Sequence, residues 1–199
     1  MMWRVIRAAL VMLVSLSVLT GLAYPLVLTG LAQVSMPGRA NGSLLYAHGH
    51  AVGSALIGQA FTNAAGQPLP QYFQPRPSAS NYDALASGGS NLGPSNPVLL
   101  RSVAGLARAY RAFNHLAPGT PVPVDAVTTS GSGLDPDISI ANALLQVPRV
   151  AAARHLRRAA VRALVQRYTQ GRILGILGEP VVNVLELNLA LDRLSKVGN

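Results

Sequence analysis

Hydrophobic positions form one long block at the amino end of the chain and shorter periodic patterns after it. No charged residue lies between Arg7 and Arg39, and the 25 residues from Ala8 to Ala32 are apolar or weakly polar. As a helix this block would be about 37 Å long, enough to cross a hydrocarbon core about 30 Å thick. It therefore predicts a transmembrane helix over residues 8–32. Pro25 should kink this helix, because proline removes a backbone donor.

Two other interpretations of the block are a cleaved secretory signal and a buried helix of a soluble protein. The basic start suits a signal, but signal cores span only about 7–15 apolar residues, and the length also disfavours a core helix. Arg4 and Arg7 precede the block, and only Arg39 follows closely. Because basic flanks stay in the cytoplasm, we expect a cytoplasmic amino terminus and a main domain on the far side of the membrane.

The pattern after the block predicts a small mixed α/β domain with short strands and three or four helices. The predicted organisation is a cytoplasmic terminus over 1–7, the transmembrane helix over 8–32, a linker over 33–50 and the soluble domain over 51–199. β-rich or apolar runs predict strands over 51–58, 122–128 and 172–177. Apolar positions at helical spacing predict helices over 97–113, 135–147, 149–172 and 181–197. We expect Pro148 to separate the second and third helices, and Asp192 and Lys196 to form a pair on the last.

The segment 63–97 has a different character, with six prolines from Pro68 to Pro97 and little periodicity. It predicts a long irregular loop, of the kind that often carries function. Asn96 and Pro97 at its end suit the cap and first position of the helix that follows.

Composition limits the chemistry that the chain can perform. Cysteine is absent, which excludes disulfides and thiolate sites. The net charge is +9, from 16 basic and 7 acidic residues. A basic balance suits nucleic acid, anionic lipid or an acidic partner, but a membrane anchor and few aromatic residues argue against nucleic acid. The charges are segregated, with seven arginines and no acid over 149–172, and three acids and no Lys or Arg over 112–148.

Few residues suggest a reactive site. His48 and His50 are spaced for one face of a strand but have no Asp, Glu or Cys nearby in sequence, so we interpret them as surface histidines. The glycine-rich stretch 87–91 could bind an anion through backbone N–H groups, but it lacks the spacing and the lysine of a phosphate loop. Ser130 and Ser132 lie in a turn without a nucleophile-elbow sequence. We expect no catalytic residues and no metal site.

Six stretches in order resemble one family. They are GSALIGQAF at 53–61, YFQPRPSA at 72–79, SGGSNLGPSNP at 87–97, VTTSGSGLDPDIS at 127–139, QVPRVAAAR at 146–154 and GEPVVNVLELNLALD at 178–192. Together they resemble the C subunit of the bacterial Kdp-type potassium-transporting ATPase. The resemblance departs from the family pattern at Asp137, where His is common, and at Arg157 and Arg158, where a helix start often carries acid.

The resemblance implies an accessory, non-catalytic subunit of an inner-membrane complex that hydrolyses ATP to import potassium. Its partners would be a channel-like potassium-binding subunit, a P-type ATPase subunit and a small single-helix subunit. The chain would hold no cofactor of its own, since the complex binds ATP and potassium. The resemblance also implies that the chain is a catalytic chaperone that raises the ATP affinity of the ATPase subunit, with Gln146 as the implicated residue.

A far-side domain cannot contact nucleotide in the cytoplasm, so we expect any effect of Gln146 on ATP affinity to be indirect. A net-positive domain near a potassium entrance would repel the ion, so we predict that Asp125, Asp135 and Asp137 form an acidic edge facing that entrance. The basic segment 149–172 would then face lipid or protein. The alternative function is a membrane-anchored binding module for an anionic ligand or partner.

Overall fold

Two units make up the chain, Met1–Leu44 and Leu45–Asn199. The computed structural model describes residues 2–197, and the side chains of residues 2–194. The predicted fold class is confirmed: an apolar amino-terminal helix precedes a small domain of short strands and several helices.

The amino-terminal unit is dominated by a continuous helix over Met2–Ser35, 34 residues long and apolar enough to cross a membrane. It consists of α1 (Met2–Val18), a π-helical turn (Leu19–Ala23) and α2 (Tyr24–Ser35), and a short helix α3 (Pro37–Ala40) follows. None of the residues of α1 and α2 is buried. The helix therefore does not serve as a core helix within this chain.

Pro25 changes the hydrogen-bond register of this long helix. The Tyr24 N–H, immediately before the proline, donates to the Leu19 carbonyl five residues back. Proline has no N–H to continue the ordinary ladder, and a local π turn is one adjustment by which membrane-spanning helices re-satisfy the backbone groups that a proline frees. The Thr20 hydroxyl donates to the Leu16 carbonyl at 2.7 Å, so this polar side chain is satisfied within the helix.

The carboxy-terminal domain contains the remaining helices and strands. The strands are β1 (Leu44–Ala47), β2 (His50–Ser54), β3 (Asp137–Ser139), β4 (Thr169–Gln170) and β5 (Val181–Asn183); the helices are α4 (Pro97–Phe113), α5 (Ile140–Ala153), α6 (Arg158–Arg167) and α7 (Val184–Val197). β3, β5 and β4 form an antiparallel sheet in that order, with Ile138 opposite Val182. α5, α6 and α7 bury a cluster against this sheet that includes Val147, Val150, Val161, Val165, Leu187 and Leu191.

The predicted irregular loop is confirmed. Between β2 and α4 only a 3₁₀ turn over Ala84–Ala86 and an isolated bridge between Thr62 and Pro68 interrupt it. We call residues 55–96 the irregular segment. Phe73 in this segment is fully buried in the core of the domain, so the segment is part of the packed interior as well as the surface.

Two predicted strands were wrong. Residues 122–128 contain a 3₁₀ turn over Val124–Ala126, since Pro121 and Pro123 cannot donate to a sheet and the Asp125 carboxylate instead binds the start of α5. Residues 172–177 form a tight turn in which Ile173 and Leu177 make an isolated bridge. The strand predicted over residues 51–58 is present as β2, which ends earlier, at Ser54, and is partly exposed rather than buried.

The helix boundaries after residue 135 also differ from the prediction. Asp137 begins the strand β3, and α5 starts at Ile140 with Ser139 as its cap. α5 continues through Pro148 and ends at Ala153, where the Leu156 N–H donates to the Ala151 carbonyl at 2.9 Å. The predicted basic helix over 149–172 is therefore two elements, because this helix-ending turn falls between α5 and α6.

Other local predictions had mixed outcomes. α4 is confirmed, with the Asn96 side chain accepting from the Val98 N–H at 2.8 Å. His48 lies in the turn between β1 and β2, and both His48 and His50 are exposed. Asp192 pairs with Arg154 at 2.7 Å, whereas its predicted partner Lys196 lies outside the described side chains.

Candidate functional site

Three polar side chains form a buried ladder along α5. Asn142, Gln146 and Arg149 follow one another at spacings of four and three residues, so they share a helix face. Their exposed fractions are 1%, 1% and 4%. Buried polar groups are costly without partners, so their contacts identify what this face of α5 holds in place.

Gln146 binds the backbone of the irregular segment with both ends of its amide. The Gln74 N–H donates to Gln146 Oε1 at 2.7 Å, and Gln146 Nε2 donates to the Gln74 carbonyl at 3.0 Å. Gln146 Nε2 also donates to Asn142 Oδ1 at 2.9 Å, and Arg149 Nη2 donates to Gln146 Oε1 at 2.7 Å. The Gln146 side chain thus makes the two hydrogen bonds to the backbone of Gln74 that a neighbouring strand would make in a sheet.

Arg149 binds the backbone of the irregular segment a few residues before Gln74. Its Nη1 donates to the carbonyls of Pro70 and Tyr72, and its Nε donates to Asn114 Oδ1 at 2.9 Å. The guanidinium lies 4.3 Å from the centre of the Phe113 ring. Among the described residues Arg149 forms no ion pair, and burial lowers its pKa to about 10, which leaves it charged at neutral pH.

α7 holds the same backbone from the other side. The Phe73 N–H donates to Asn188 Oδ1 at 2.9 Å, and Asn188 Nδ2 donates to the Phe73 carbonyl at 2.9 Å. Arg154 Nε donates to the Gln71 carbonyl at 2.6 Å, and its guanidinium pairs with Asp192 at 2.7 Å. We call this set of contacts to residues 70–74 the segment clamp.

Asp125 belongs to the network that contains Gln146. Its carboxylate accepts from the Ser139 N–H at 2.8 Å, from the Ser139 hydroxyl at 2.9 Å and from Asn142 Nδ2 at 2.9 Å. These contacts place a negative charge at the amino end of α5, where the helix dipole favours it. Asp125 and Gln146 are therefore joined through Asn142.

Asp135 and Asp137 lie where a second part of the irregular segment, around Arg76, contacts the rest of the domain. We call this set of contacts the second junction. Asp135 pairs with Arg76 at 2.7 Å, and its other oxygen accepts from the Asp137 N–H at 3.0 Å. Asp137 accepts from Asn183 Nδ2 at 3.2 Å. Desolvation of its half-buried carboxyl, together with the nearby Asp135, raises the pKa of Asp137. All three predicted acidic residues thus have partners inside the domain.

The glycine-rich stretch 87–91 packs against the turn 129–133, which also contains two glycines, at this second junction. The Gly88 N–H donates to the Ser132 carbonyl at 2.8 Å, and the Ser78 hydroxyl donates to the Gly133 carbonyl at 2.6 Å. A Cβ at Gly89 would lie 3.1 Å from the Gly131 carbonyl oxygen. Glycine therefore serves a close approach of two backbones here, and at least the Gly88 N–H is not available to an anion.

Sequence reasoning identified Gln146 only through family resemblance and missed Asn142, Arg149, Asn114 and Asn188. A signal was present, since polar residues at helical spacing within the apolar pattern of α5 mark a buried polar face. Asn188 had no comparable signal, because its partner lies 115 residues away in the chain. In the described part of the chain no group of three or more metal-ligating side chains could hold a metal ion.

We expect Gln146→Ala to lower the free energy of unfolding of the domain by about 2–4 kcal/mol, because it removes the side-chain partner of the Gln74 N–H, the Gln74 carbonyl and Arg149 Nη2, and one of the bonds to Asn142. Chemical unfolding of the full chain in detergent measures this loss. Gln166→Ala on the exposed side of α6 is the matched control and should change little. Equal stability of the two variants would contradict the segment clamp.

Asp137→Asn should stabilise the domain at neutral pH. A raised pKa means that the folded state binds the proton more tightly, so wild-type stability falls as pH rises from the unfolded pKa through the folded value. Asparagine removes the buried charge and keeps an acceptor for Asn183. Thermal unfolding at about pH 7 and about pH 4 should show a gain that shrinks at the lower pH. A variant that is less stable at neutral pH would refute this assignment.

Comparison with known proteins finds close relatives over nearly the whole chain. The family model KdpC, described as K+-transporting ATPase, c chain, matches residues 6–193. The potassium-transporting ATPase KdpC subunit of Mycobacterium tuberculosis (strain ATCC 25618 / H37Rv) is 54% identical over 195 residues, covering 97% of this chain and 100% of the relative. The KdpC subunit of Methylibium petroleiphilum is 54% identical over 192 residues, covering 94% and 96%.

A third relative, the KdpC subunit of Methylobacterium nodulans, is 52% identical over 204 residues, covering 96% of this chain and 97% of its own. The six stretches that carry the resemblance lie within residues 6–193. The residues of the segment clamp lie there as well. The chain therefore belongs to the KdpC family, the C chain of potassium-transporting ATPases.

Proposed function

We propose that the chain is a non-catalytic accessory subunit of an ATP-driven potassium import complex, anchored in the bacterial inner membrane by the helix Met2–Ser35. Membership of the KdpC family supports the role in potassium transport. The helix is long and apolar enough to span a bilayer, and the basic residues Arg4 and Arg7 at its start favour a cytoplasmic amino terminus. The domain would then lie outside the cytoplasm.

The partners proposed from the family are a channel-like potassium-binding subunit, a P-type ATPase subunit and a small single-helix subunit. ATP and potassium would bind to those subunits, and this chain would stabilise their assembly. The irregular segment suits this task, because its backbone is fixed by side chains and its outer surface remains free for a partner.

The observation that carries the proposal is the enclosure of Gln146. Among the described residues, the side chain of Gln146 forms its hydrogen bonds with Gln74, Asn142 and Arg149, and only 1% of the residue is exposed. Direct contact with nucleotide would require this buried amide to leave its partners. The family's chaperone effect on ATP affinity is therefore best explained as indirect, through the shape of the irregular segment and the assembly of the complex.

Two variants of the segment clamp test this explanation in the whole complex. Gln146→Ala and Asn188→Ala remove contacts to neighbouring residues, Gln74 and Phe73, from different helices. We expect both to reduce the amount of intact complex recovered from membranes, and both to weaken the apparent ATP affinity of the complex that remains. Pull-down through a tagged partner and ATPase assays at graded ATP concentrations measure these effects.

Gln166→Ala serves as the control in this experiment and should leave recovery and ATP affinity unchanged. Loss of ATP affinity in Gln146→Ala alone, with Asn188→Ala equally destabilised but normal, would contradict the indirect role. Full activity after removal of the whole domain, residues 39–199, would contradict the accessory function itself.

The acidic edge near a potassium entrance stays a prediction, and Asp137 offers the best test. Asp125 and Asp135 support the fold through hydrogen bonds and an ion pair, whereas Asp137 accepts from Asn183 in a manner that asparagine can retain. Asp137→Asn should weaken apparent potassium affinity at low salt by a few fold, since one nearby charge is worth a few tenths to about 1 kcal/mol in high dielectric.

Asp83→Asn is the control for this test, because Asp83 is an acid that caps a surface turn, which asparagine also caps. Potassium-dependent ATPase activity at low ionic strength reports the affinity. Equal potassium affinities in Asp137→Asn, Asp83→Asn and wild type would refute the prediction of an acidic edge at the potassium entrance.

A further inference from the structure

A cluster of large apolar side chains projects from the domain between β4 and β5. Ile173, Leu174, Ile176 and Leu177 are 70%, 86%, 73% and 56% exposed. They occupy one short turn, which we call the apolar turn, residues 172–179. Single exposed aliphatic residues are ordinary, but four within five positions mark a surface that binds something.

The backbone of the apolar turn is closed by its own hydrogen bonds. The Ile173 N–H donates to the Leu177 carbonyl at 2.9 Å, and the Leu177 N–H donates to the Ile173 carbonyl at 3.0 Å. At its base Arg172 Nη2 contacts both oxygens of Glu179 at 2.8 Å. The apolar side chains are thus held outward by a closed loop.

The chain leading into the apolar turn is strongly basic. No acid occurs over residues 138–178. Arg158, Arg162 and Arg167 on α6 are exposed, and α6 ends five residues before Arg172. An apolar projection that follows an arginine-rich helix closely in the chain matches the chemistry of an anionic membrane surface, where acyl chains lie beneath negatively charged head groups.

We propose that the apolar turn inserts into the interfacial region of an anionic phospholipid bilayer, and that the exposed arginines of α6 favour this insertion by their attraction to negatively charged head groups. A bilayer is available through covalent attachment, because the same chain carries the apolar helix Met2–Ser35. The inference rests on one part of the proposed function, the membrane anchor, and not on the role in potassium transport.

The absence of cysteine from the sequence allows a site-specific test. Leu174→Cys is labelled with an environment-sensitive fluorophore such as NBD, and the full chain is reconstituted alone in vesicles of phosphatidylcholine with phosphatidylglycerol. Leu85→Cys is the matched control, because Leu85 is 98% exposed in another loop. The label at position 174 should emit at shorter wavelength than at 85, and nitroxide-labelled lipids should quench it several-fold more strongly.

The charge of the bilayer provides the second measurement. We expect a smaller shift at position 174 in vesicles of phosphatidylcholine alone, and in the variant with Arg158, Arg162 and Arg167 changed to Gln. Equal emission and quenching at 174 and 85 would overturn the proposal. So would a shift at 174 that appears only when the other subunits are added, because the turn would then bind protein. An equal shift in neutral and anionic vesicles would overturn the part assigned to the arginines.

Discussion

The fold depends on hydrogen bonds from side chains to a stretch of backbone that belongs to no sheet. Residues 70–74 run along the core, with Phe73 fully buried in it, and N–H and C=O groups that are removed from water must be paired. Gln146 and Asn188 each present a carboxamide, which offers one donor and one acceptor, to a single residue of this stretch. The two side chains replace the neighbouring strands that a sheet would provide, and they join α5, α7 and the irregular segment into one packed interior.

The buried cation of this network is stabilised without a carboxylate among the described residues. Arg149 is surrounded by carbonyl and amide oxygens and by the face of the Phe113 ring. Its planar guanidinium can contact several acceptors in different directions at once, which a lysine ammonium cannot reproduce. Carboxylates act elsewhere: Asp125 caps α5, and Asp135 pairs with Arg76. Much of the domain's charge is therefore used for structure, while α6 keeps exposed arginines.

The segment clamp and the second junction give the short polar motifs of this chain a structural role. QVPRVAAAR, NLALD and YFQ meet at the segment clamp, whereas the two glycine-rich stretches meet at the second junction. Both junctions fix parts of the irregular segment. A loop held in one shape presents a defined surface, which is what the proposed accessory role would require.

The sequence alone determined the features that depend on local pattern. The apolar block, the irregular segment and α4 with its Asn96 cap were predicted because length, proline content and helical spacing are local properties. The sequence could not show that Pro148 lies inside α5, that 122–128 contains a turn, or that β3 stands where a helix start was predicted. These three features depend on contacts between residues that are distant in the chain. The segment clamp also depends on tertiary structure. Gln146 binds Gln74, which is 72 positions away in the chain, and Asn188 binds Phe73, which is 115 positions away, so neither contact is visible in local sequence.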